Sequence, residues 1–197
     1  MNKIKLRASV RKEKRSYVCP TELACSLDNL LRKAVHNPQM ILEPYISKNM
    51  TVLDLGCGPG YFTTELARLV GEEGRVIAAD LQQGMLEKTI RKIRGTYLER
   101  RVTIHKCQEN KIGVSEKVDF VLAFWMVHEV PDQQRLFGEL KSILKPNGRI
   151  WIIEPKIHVK KRSFKKMITL CESAGFEINE RSKVCLSRTV MLSIRNN

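Results

Sequence analysis

From Thr51 onward the chain alternates between short apolar, β-branched runs and longer stretches in which apolar positions recur every three or four residues. The short runs Thr51–Leu55, Arg75–Asp80, Val102–Lys106, Val118–Phe124 and Arg149–Glu154 are mostly apolar on both faces. A parallel sheet covered on both sides requires that pattern, so each run predicts a strand. Between them, Tyr61–Val70, Met85–Ile93 and Gln133–Leu144 carry a single apolar stripe and predict helices, the last capped by Asp132. Lys145-Pro-Asn-Gly predicts the turn that returns the chain to the sheet. A further helix is expected from about Ser163 to Ala174, closed by Gly175, followed by strands at Phe176–Lys183 and Leu186–Ile194. Too few residues join those two strands for a parallel crossover, so they run antiparallel. The expected fold is α/β: a doubly wound, mostly parallel, seven-stranded sheet with a C-terminal antiparallel hairpin, Rossmann-like in its winding.

Ahead of Thr51, residues 21–35 place Leu23, Leu27, Leu30, Leu31 and Ala34 at helical spacing, with Thr21 as cap. His36-Asn37-Pro38 stops that helix. Asn37 then caps a second, short one from Pro38 to about Leu42, because proline at the first helical position gives up no hydrogen bond. The expected organisation is a basic, partly disordered segment (1–19), a helical segment (20–48) and the sheet domain (49–197), consistent with 197 residues forming one domain with a small appendage.

Composition narrows the class. With 43% hydrophobic and 28% charged residues the chain can build a core, which excludes whole-chain disorder. No apolar run reaches 18 residues, and no apolar stretch follows the basic Met1–Arg15, so neither a membrane-spanning helix nor a secretory signal is expected and the cytoplasm is the expected location. The six cysteines (19, 25, 57, 107, 171, 185) contain no C-x-x-C pair and are expected to be free thiols, with no metal site. The net charge of +14 is uneven. Residues 1–15 carry seven Lys/Arg against one Glu and residues 156–166 carry six against none, so those two segments hold +6 each and the rest of the chain +2. Any contact with RNA or an anionic surface is therefore expected at those two places.

The chemistry concentrates in Val52-Leu-Asp-Leu-Gly-Cys-Gly-Pro-Gly-Tyr-Phe. This glycine loop joins the first buried strand to the first helix, where a doubly wound sheet binds its ligand. Its glycines at 56, 58 and 60 give G-x-G-x-G, one residue short of the dinucleotide fingerprint, which argues against a pyrophosphate cradle. No Gly-Lys-Ser/Thr follows, so it is not a P-loop either. Asp80 ends the neighbouring strand, placed to accept hydrogen bonds from both hydroxyls of a ribose. Asp54, inside the first strand, is an odd charge for a buried sheet unless it meets a cation. An ammonium and a ribose without phosphate describe S-adenosylmethionine.

At these residues the chain resembles the class I S-adenosylmethionine-dependent methyltransferases. The motifs are Asp54-x-Gly-x-Gly-x-Gly, Asp80, Asp119-Phe-Val-Leu-Ala-Phe-Trp-Met-Val-His-Glu-Val-Pro-Asp and Leu144-Lys-Pro-Asn-Gly-Arg. They lie nearest the small-molecule branch that includes the ubiquinone and menaquinone C-methyltransferases. The resemblance implies that Asp54 and the loop of Gly56, Cys57, Gly58 and Gly60 hold the methionine part and Asp80 the ribose. It implies that Ala123, Phe124, Trp125 and Met126 line the methionine end, with Tyr61 and Leu81 completing the cofactor set. The family usually has Gly-Asp-Ala after the third strand, where this chain reads Cys107-Gln108-Glu109. The adenine contact then falls to the Gln108 amide oxygen or to Glu109.

Phe124 and Trp125 follow a buried strand, so core packing and ring contact with the sulfonium both suit them. His128 and Glu154 are the candidate catalytic residues, His128 otherwise a structural histidine ahead of a capped helix and Glu154 otherwise a substrate contact. Asp28, Arg32 and His36 share one helical face: a solvated stripe, or part of a lid over the acceptor site, as elements before the first strand form in this family. The expected activity is methyl transfer to a small-molecule acceptor. The alternatives are RNA methylation through the basic segments, a non-catalytic nucleoside-binding module, and a soft acceptor such as trivalent arsenic held by Cys19 and Cys25.

Overall fold

The computed structural model describes residues 36–195. The expected basic segment 1–19, the helix at 21–35, and Cys19, Cys25, Asp28 and Arg32 lie outside the described residues. Asn37 accepts hydrogen bonds from the backbone N–H groups of Gln39 and Met40, and so starts α1 (Pro38–Leu42) as proline at its first position allows. The chain then winds through β1 (Thr51–Leu55), α2 (Thr63–Leu69), β2 (Arg75–Asp80), α3 (Gln83–Ile93), β3 (Val102–Lys106) and β4 (Val118–Phe124). It continues through α4 (Gln133–Ile143), β5 (Leu144–Pro155), α5 (Lys161–Ser173), β6 (Phe176–Glu180) and β7 (Ser187–Ile194).

All seven strands form one sheet in the order β3-β2-β1-β4-β5-β7-β6. The first five run parallel to one another, and β7 pairs antiparallel with both β5 and β6. Apolar layers cover both faces: Val121, Ala123, Ile150 and Ile152 join α4 and α5 on one side, while Phe120, Leu122, Trp151 and Ile153 join α1 and α2 on the other. Two-sided burial is why these strands read as continuous apolar runs.

The strand order fixes the site. From β1 the chain builds outward to β2 and β3, then jumps back to lay β4 on the other side of β1, so the winding reverses between β1 and β4. A crevice opens outside the carboxyl ends of the strands at such a reversal. Leu55 is in register with Ala79 and with Ala123, and Ala123 with Ile152, which brings Asp54, Asp80, Phe124 and Glu154 to one edge of the sheet.

Some boundaries differ from expectation for identifiable reasons. Lys145–Gly148 does not precede β5 but interrupts it. Leu144 already pairs with Val118, and the ladder resumes with Arg149 opposite Phe120. Leu144 is drawn into the sheet by its burial, whereas Pro146, which has no N–H, cannot carry the ladder onward. The excursion is tied down at the amino end of the sheet, where Asp119 accepts hydrogen bonds from Lys145 Nζ at 2.7 Å and from the Thr51 N–H at 2.8 Å. Tyr61 and Phe62 form a turn, so α2 starts at Thr63. β6 stops at Glu180 because its register slips after Ile178 and Val184 turns inward, leaving 181–186 as a loop. Among the described residues no helix is long and apolar enough to cross a membrane, and Cys57, Cys107, Cys171 and Cys185 are free thiols, as expected.

Candidate active site

The glycine loop leaves β1 anchored, with the N–H groups of Gly56 and Cys57 both donating to the Ala79 carbonyl at 2.8 and 3.0 Å. Two of its glycines are required by space as well as by backbone conformation. A Cβ on Gly60 (φ +74°) would lie 2.8 Å from Thr89 Oγ1, where α3 crosses the loop. Gly58 (φ +54°) differs, because a Cβ there would meet no atom within 4 Å. Its open side is the space a ligand approaching the backbone would fill. Thr89, fully buried, donates to the Gly58 carbonyl at 3.0 Å and holds that opening in place.

Asp80 braces the same loop from β2. Its Oδ2 accepts the Gly58 N–H at 2.9 Å and its Oδ1 the Gln82 N–H at 2.7 Å. Each carboxylate oxygen keeps a second lone pair, so two further donors such as vicinal ribose hydroxyls can be accommodated. Burial raises its pKa, against the opposing effect of the Gln82 and Gly58 N–H groups and of Lys106.

Asp54 is 2% exposed, and Thr63 Oγ1 donates to its Oδ2 at 2.6 Å. Burial drives its pKa up to about 7; the Thr63 hydroxyl opposes this and the Asp80 charge reinforces it. A carboxylate so placed gains most from a cation. Cys57 has its thiol pushed up strongly by burial and then by Asp54 and Asp80, so it stays protonated and serves as a small buried residue of the loop.

The segment after β4 forms the opposite wall. Met126 approaches so closely that a Cβ on Gly56 would lie 2.8 Å from the Met126 Cβ. Phe124 stacks in a tilted arrangement on Phe62 and on Trp125, with ring centroids 4.3 and 5.3 Å apart, and Trp125 Nε1 donates to Ser187 Oγ at 3.0 Å. His36 packs its ring edge-to-face against both Phe124 and Trp125 and makes a 2.8 Å contact from Nε2 to the Cys185 carbonyl. It is 1% exposed, so the solvated-stripe reading of that histidine does not hold. The Tyr61 hydroxyl donates to the His36 carbonyl at 2.7 Å, joining the loop to the start of the described chain.

Glu154, 1% exposed, binds the turn that follows β4. Its Oε1 accepts the Val127 N–H at 2.9 Å, and its Oε2 lies 2.5 Å from His128 Nδ1. Partial burial lowers the His128 pKa, but the hydrogen bond and charge of Glu154 and the charge of Glu129 outweigh it, and the net shift is upward. Gln108 and Glu109 are exposed, in a tight turn where Gln108 pairs with Lys111, and the Cys107 N–H donates to the Asp80 carbonyl at 2.9 Å. Leu81 sits beside Asp80, its carbonyl accepting from Lys106 Nζ.

Three supporting residues escaped the sequence reading. Thr63 had a usable signal, a hydroxyl in the first turn of the helix that follows a buried Asp54. Gln82 acts through its backbone N–H and Thr89 through the crossing of α3 over the loop, neither of which leaves a pattern in the sequence.

A doubly wound sheet whose switch point carries a G-x-G-x-G loop, with Asp54 one residue before the end of β1 and Asp80 at the end of β2, is that of the S-adenosylmethionine-dependent methyltransferases. Residues 46–186 match the family described as Methyltransferase domain, and the chain belongs to that family. It is 34% identical over 103 residues to the demethylmenaquinone methyltransferase of Lactobacillus johnsonii, covering 52% of this chain and 42% of that protein. It is 29% identical over 110 residues to the ubiquinone/menaquinone biosynthesis C-methyltransferase of Klebsiella pneumoniae, covering 55% and 44%. The aligned stretch thus spans less than half the length of these relatives. Among solved structures it is similar to a SAM-dependent methyltransferase from Aquifex aeolicus, with a TM-score of 0.80 at 27% identity over 90% of this chain and all of that one.

Proposed function

We propose that the chain binds S-adenosylmethionine across the glycine loop and transfers its methyl group to a small-molecule acceptor. The observation that carries this reading is the pair of buried carboxylates flanking the opening at Gly58: Asp54 suits the ammonium and Asp80 the ribose hydroxyls. When bound, the cofactor supplies a methyl already activated by a sulfonium. The protein's contribution is then mainly to align the acceptor and exclude water, effects worth about 7 kcal/mol or more where geometry is good. Gly56, Gly58 and Gly60 let the backbone come close, Ala123, Phe124, Trp125 and Met126 wall the methionine end, and Gln108 or Glu109 reaches the adenine. Glu154 fixes the proton of His128 on Nδ1 and leaves Nε2 to take a proton from the acceptor. The named relatives make quinone precursors the first acceptor class to test.

Purified protein incubated with methyl-labelled S-adenosylmethionine and cell extract, with and without ribonuclease, tests this reading. Label in a small, ribonuclease-insensitive product is expected. Label confined to a polymer that ribonuclease destroys would instead make RNA the acceptor.

Two further outcomes follow from the site. Because the pKa of Asp54 is raised, its contribution to folding stability is fully present below its ordinary value of 3.8 and is lost as pH rises through about 7. Cofactor binding runs the other way, since the ammonium requires the carboxylate. The thermal upshift produced by S-adenosylmethionine should therefore grow between pH 5.5 and 8, with affinity changing by up to about tenfold per pH unit below 7. In Asp54→Asn the upshift should be small and flat with pH. Gly58→Ala puts a methyl into the ligand space while touching nothing in the protein, at about 1–2 kcal/mol of backbone strain. Melting should fall by only a few degrees, whereas calorimetric affinity should drop at least about tenfold.

A further inference from the structure

Singly exposed large apolar side chains are ordinary, but two that adjoin within a strongly cationic stretch make an amphipathic rim. Four are exposed among the described residues: Met40, Tyr97, Ile157 and Leu186. Two of these, Ile157 and Leu186, stand on adjoining backbone. The Lys156 N–H donates to the Leu186 carbonyl at 2.9 Å, so Ile157, 87% exposed, stands next to Leu186, 60% exposed. Met40 lines a cleft of about 410 Å³ together with Cys185, the residue before Leu186.

The tip that carries Ile157 is fixed. The N–H groups of His158 and Val159 donate to the Pro155 carbonyl at 3.2 and 2.9 Å, Val159 is buried, and Arg188 Nε donates to the Val159 carbonyl at 3.1 Å. A turn held at both ends therefore presents an isoleucine outward, within a segment (156–166) of six cations and no acid. In α5 the buried positions are Phe164, Met167, Ile168 and Cys171, while Lys161, Arg162, Lys165 and Lys166 are exposed. Arg181 and Lys183 add positive charge on the Leu186 side, where the acid is Glu180.

Aliphatic side chains projecting from a cationic rim suit the boundary of an anionic bilayer, where apolar groups enter the acyl region and lysines meet the headgroups. Single-stranded RNA calls for exposed aromatic platforms instead, and this rim has none among its exposed apolar side chains. The rim also adjoins the proposed acceptor side of the site, because the His158 ring lies 5.8 Å from that of His128.

We propose that this edge docks on an anionic membrane surface, with Ile157 and Leu186 inserted at headgroup depth and Lys156, Lys160 and Lys161 against the phosphates. An apolar acceptor dissolved in the lipid then reaches the His128–Glu154 side of the crevice without crossing water. That second statement rests on the methyl-transfer reading; the docking does not.

The test is sedimentation of the full chain with vesicles of equal parts phosphatidylglycerol and phosphatidylcholine, with vesicles of phosphatidylcholine alone, and, in parallel, binding to total RNA. The charge-neutral double variant Ile157→Ser/Leu186→Asn is compared with the unaltered chain and with a chain lacking residues 1–15. Asparagine suits the positive φ of 56° at position 186, so folding should be undisturbed. Binding is expected to the anionic vesicles only. The double variant should lose it at least about tenfold at both low and high salt, whereas removing residues 1–15 should weaken it at low salt alone. Equal partitioning of the double variant and the unaltered chain, or preference for RNA over the anionic vesicles, would overturn the proposal. Calorimetry with S-adenosylmethionine keeps the two readings apart: if the protein sediments as expected yet binds no cofactor, methyl transfer fails and the docking stands.

Discussion

Replacing Asp80 by alanine is expected to weaken S-adenosylmethionine binding by about ten- to a hundredfold. Hydrogen bonds to an ionised group contribute roughly 1.5–3 kcal/mol, and a tenfold change in affinity corresponds to about 1.4 kcal/mol. The structure adds a second route to the same loss. Asp80 also accepts the N–H groups of Gly58 and Gln82, so its removal frees two backbone donors and slackens the loop that opens toward the ligand. Asp80→Asn should fall between, since the amide offers one accepting oxygen where the carboxylate offers two. Isothermal titration of the three proteins checks the order, and an unchanged dissociation constant in the alanine variant contradicts the assignment of Asp80 to the ribose.

Substituting glutamine for His128 is expected to leave cofactor affinity unchanged and to lower turnover by about a hundredfold or more, the usual scale of general acid–base contributions. His128 is 23% exposed while its partner Glu154 is buried, so the histidine is the safer member of the pair to change. Glu154→Gln would also disturb the hydrogen bond that orders Val127. The pH profile identifies the role. A base works when deprotonated, and Glu154 raises the pKa of His128 despite its partial burial. At saturating S-adenosylmethionine, turnover of the unaltered enzyme should therefore rise with pH through a value above the ordinary histidine range, and the rise should be absent in His128→Gln. An unaltered profile in the variant would assign His128 to structure alone.

Four strands stand where their apolar runs place them, Thr51–Leu55, Arg75–Asp80, Val102–Lys106 and Val118–Phe124, because burial on both faces leaves a dense, short and unambiguous signal. Helix ends were less legible. Gln83 and Gly84 contribute nothing to an apolar stripe, so α3 is visible only from Met85, and the turn at Tyr61 and Phe62 is as apolar as the helix it precedes. The interruption at Lys145–Gly148 has the composition of any turn, and only the pairing of Leu144 with Val118 places it inside a strand. In the candidate site the acids and glycines were readable because each is costly where it stands. The partner of His36 was not: its 149-residue reach to the Cys185 carbonyl is a product of the fold and has no local trace.

We place an adenosyl cofactor that carries no phosphate in the opening over Gly58, between Asp54 and Asp80. Titration calorimetry of the full chain with S-adenosylmethionine, and separately with a nicotinamide dinucleotide, decides the matter. One-to-one binding of S-adenosylmethionine that weakens as pH falls below about 7, with no heat from the dinucleotide, is the predicted result. Tight binding of the dinucleotide and none of S-adenosylmethionine would contradict it.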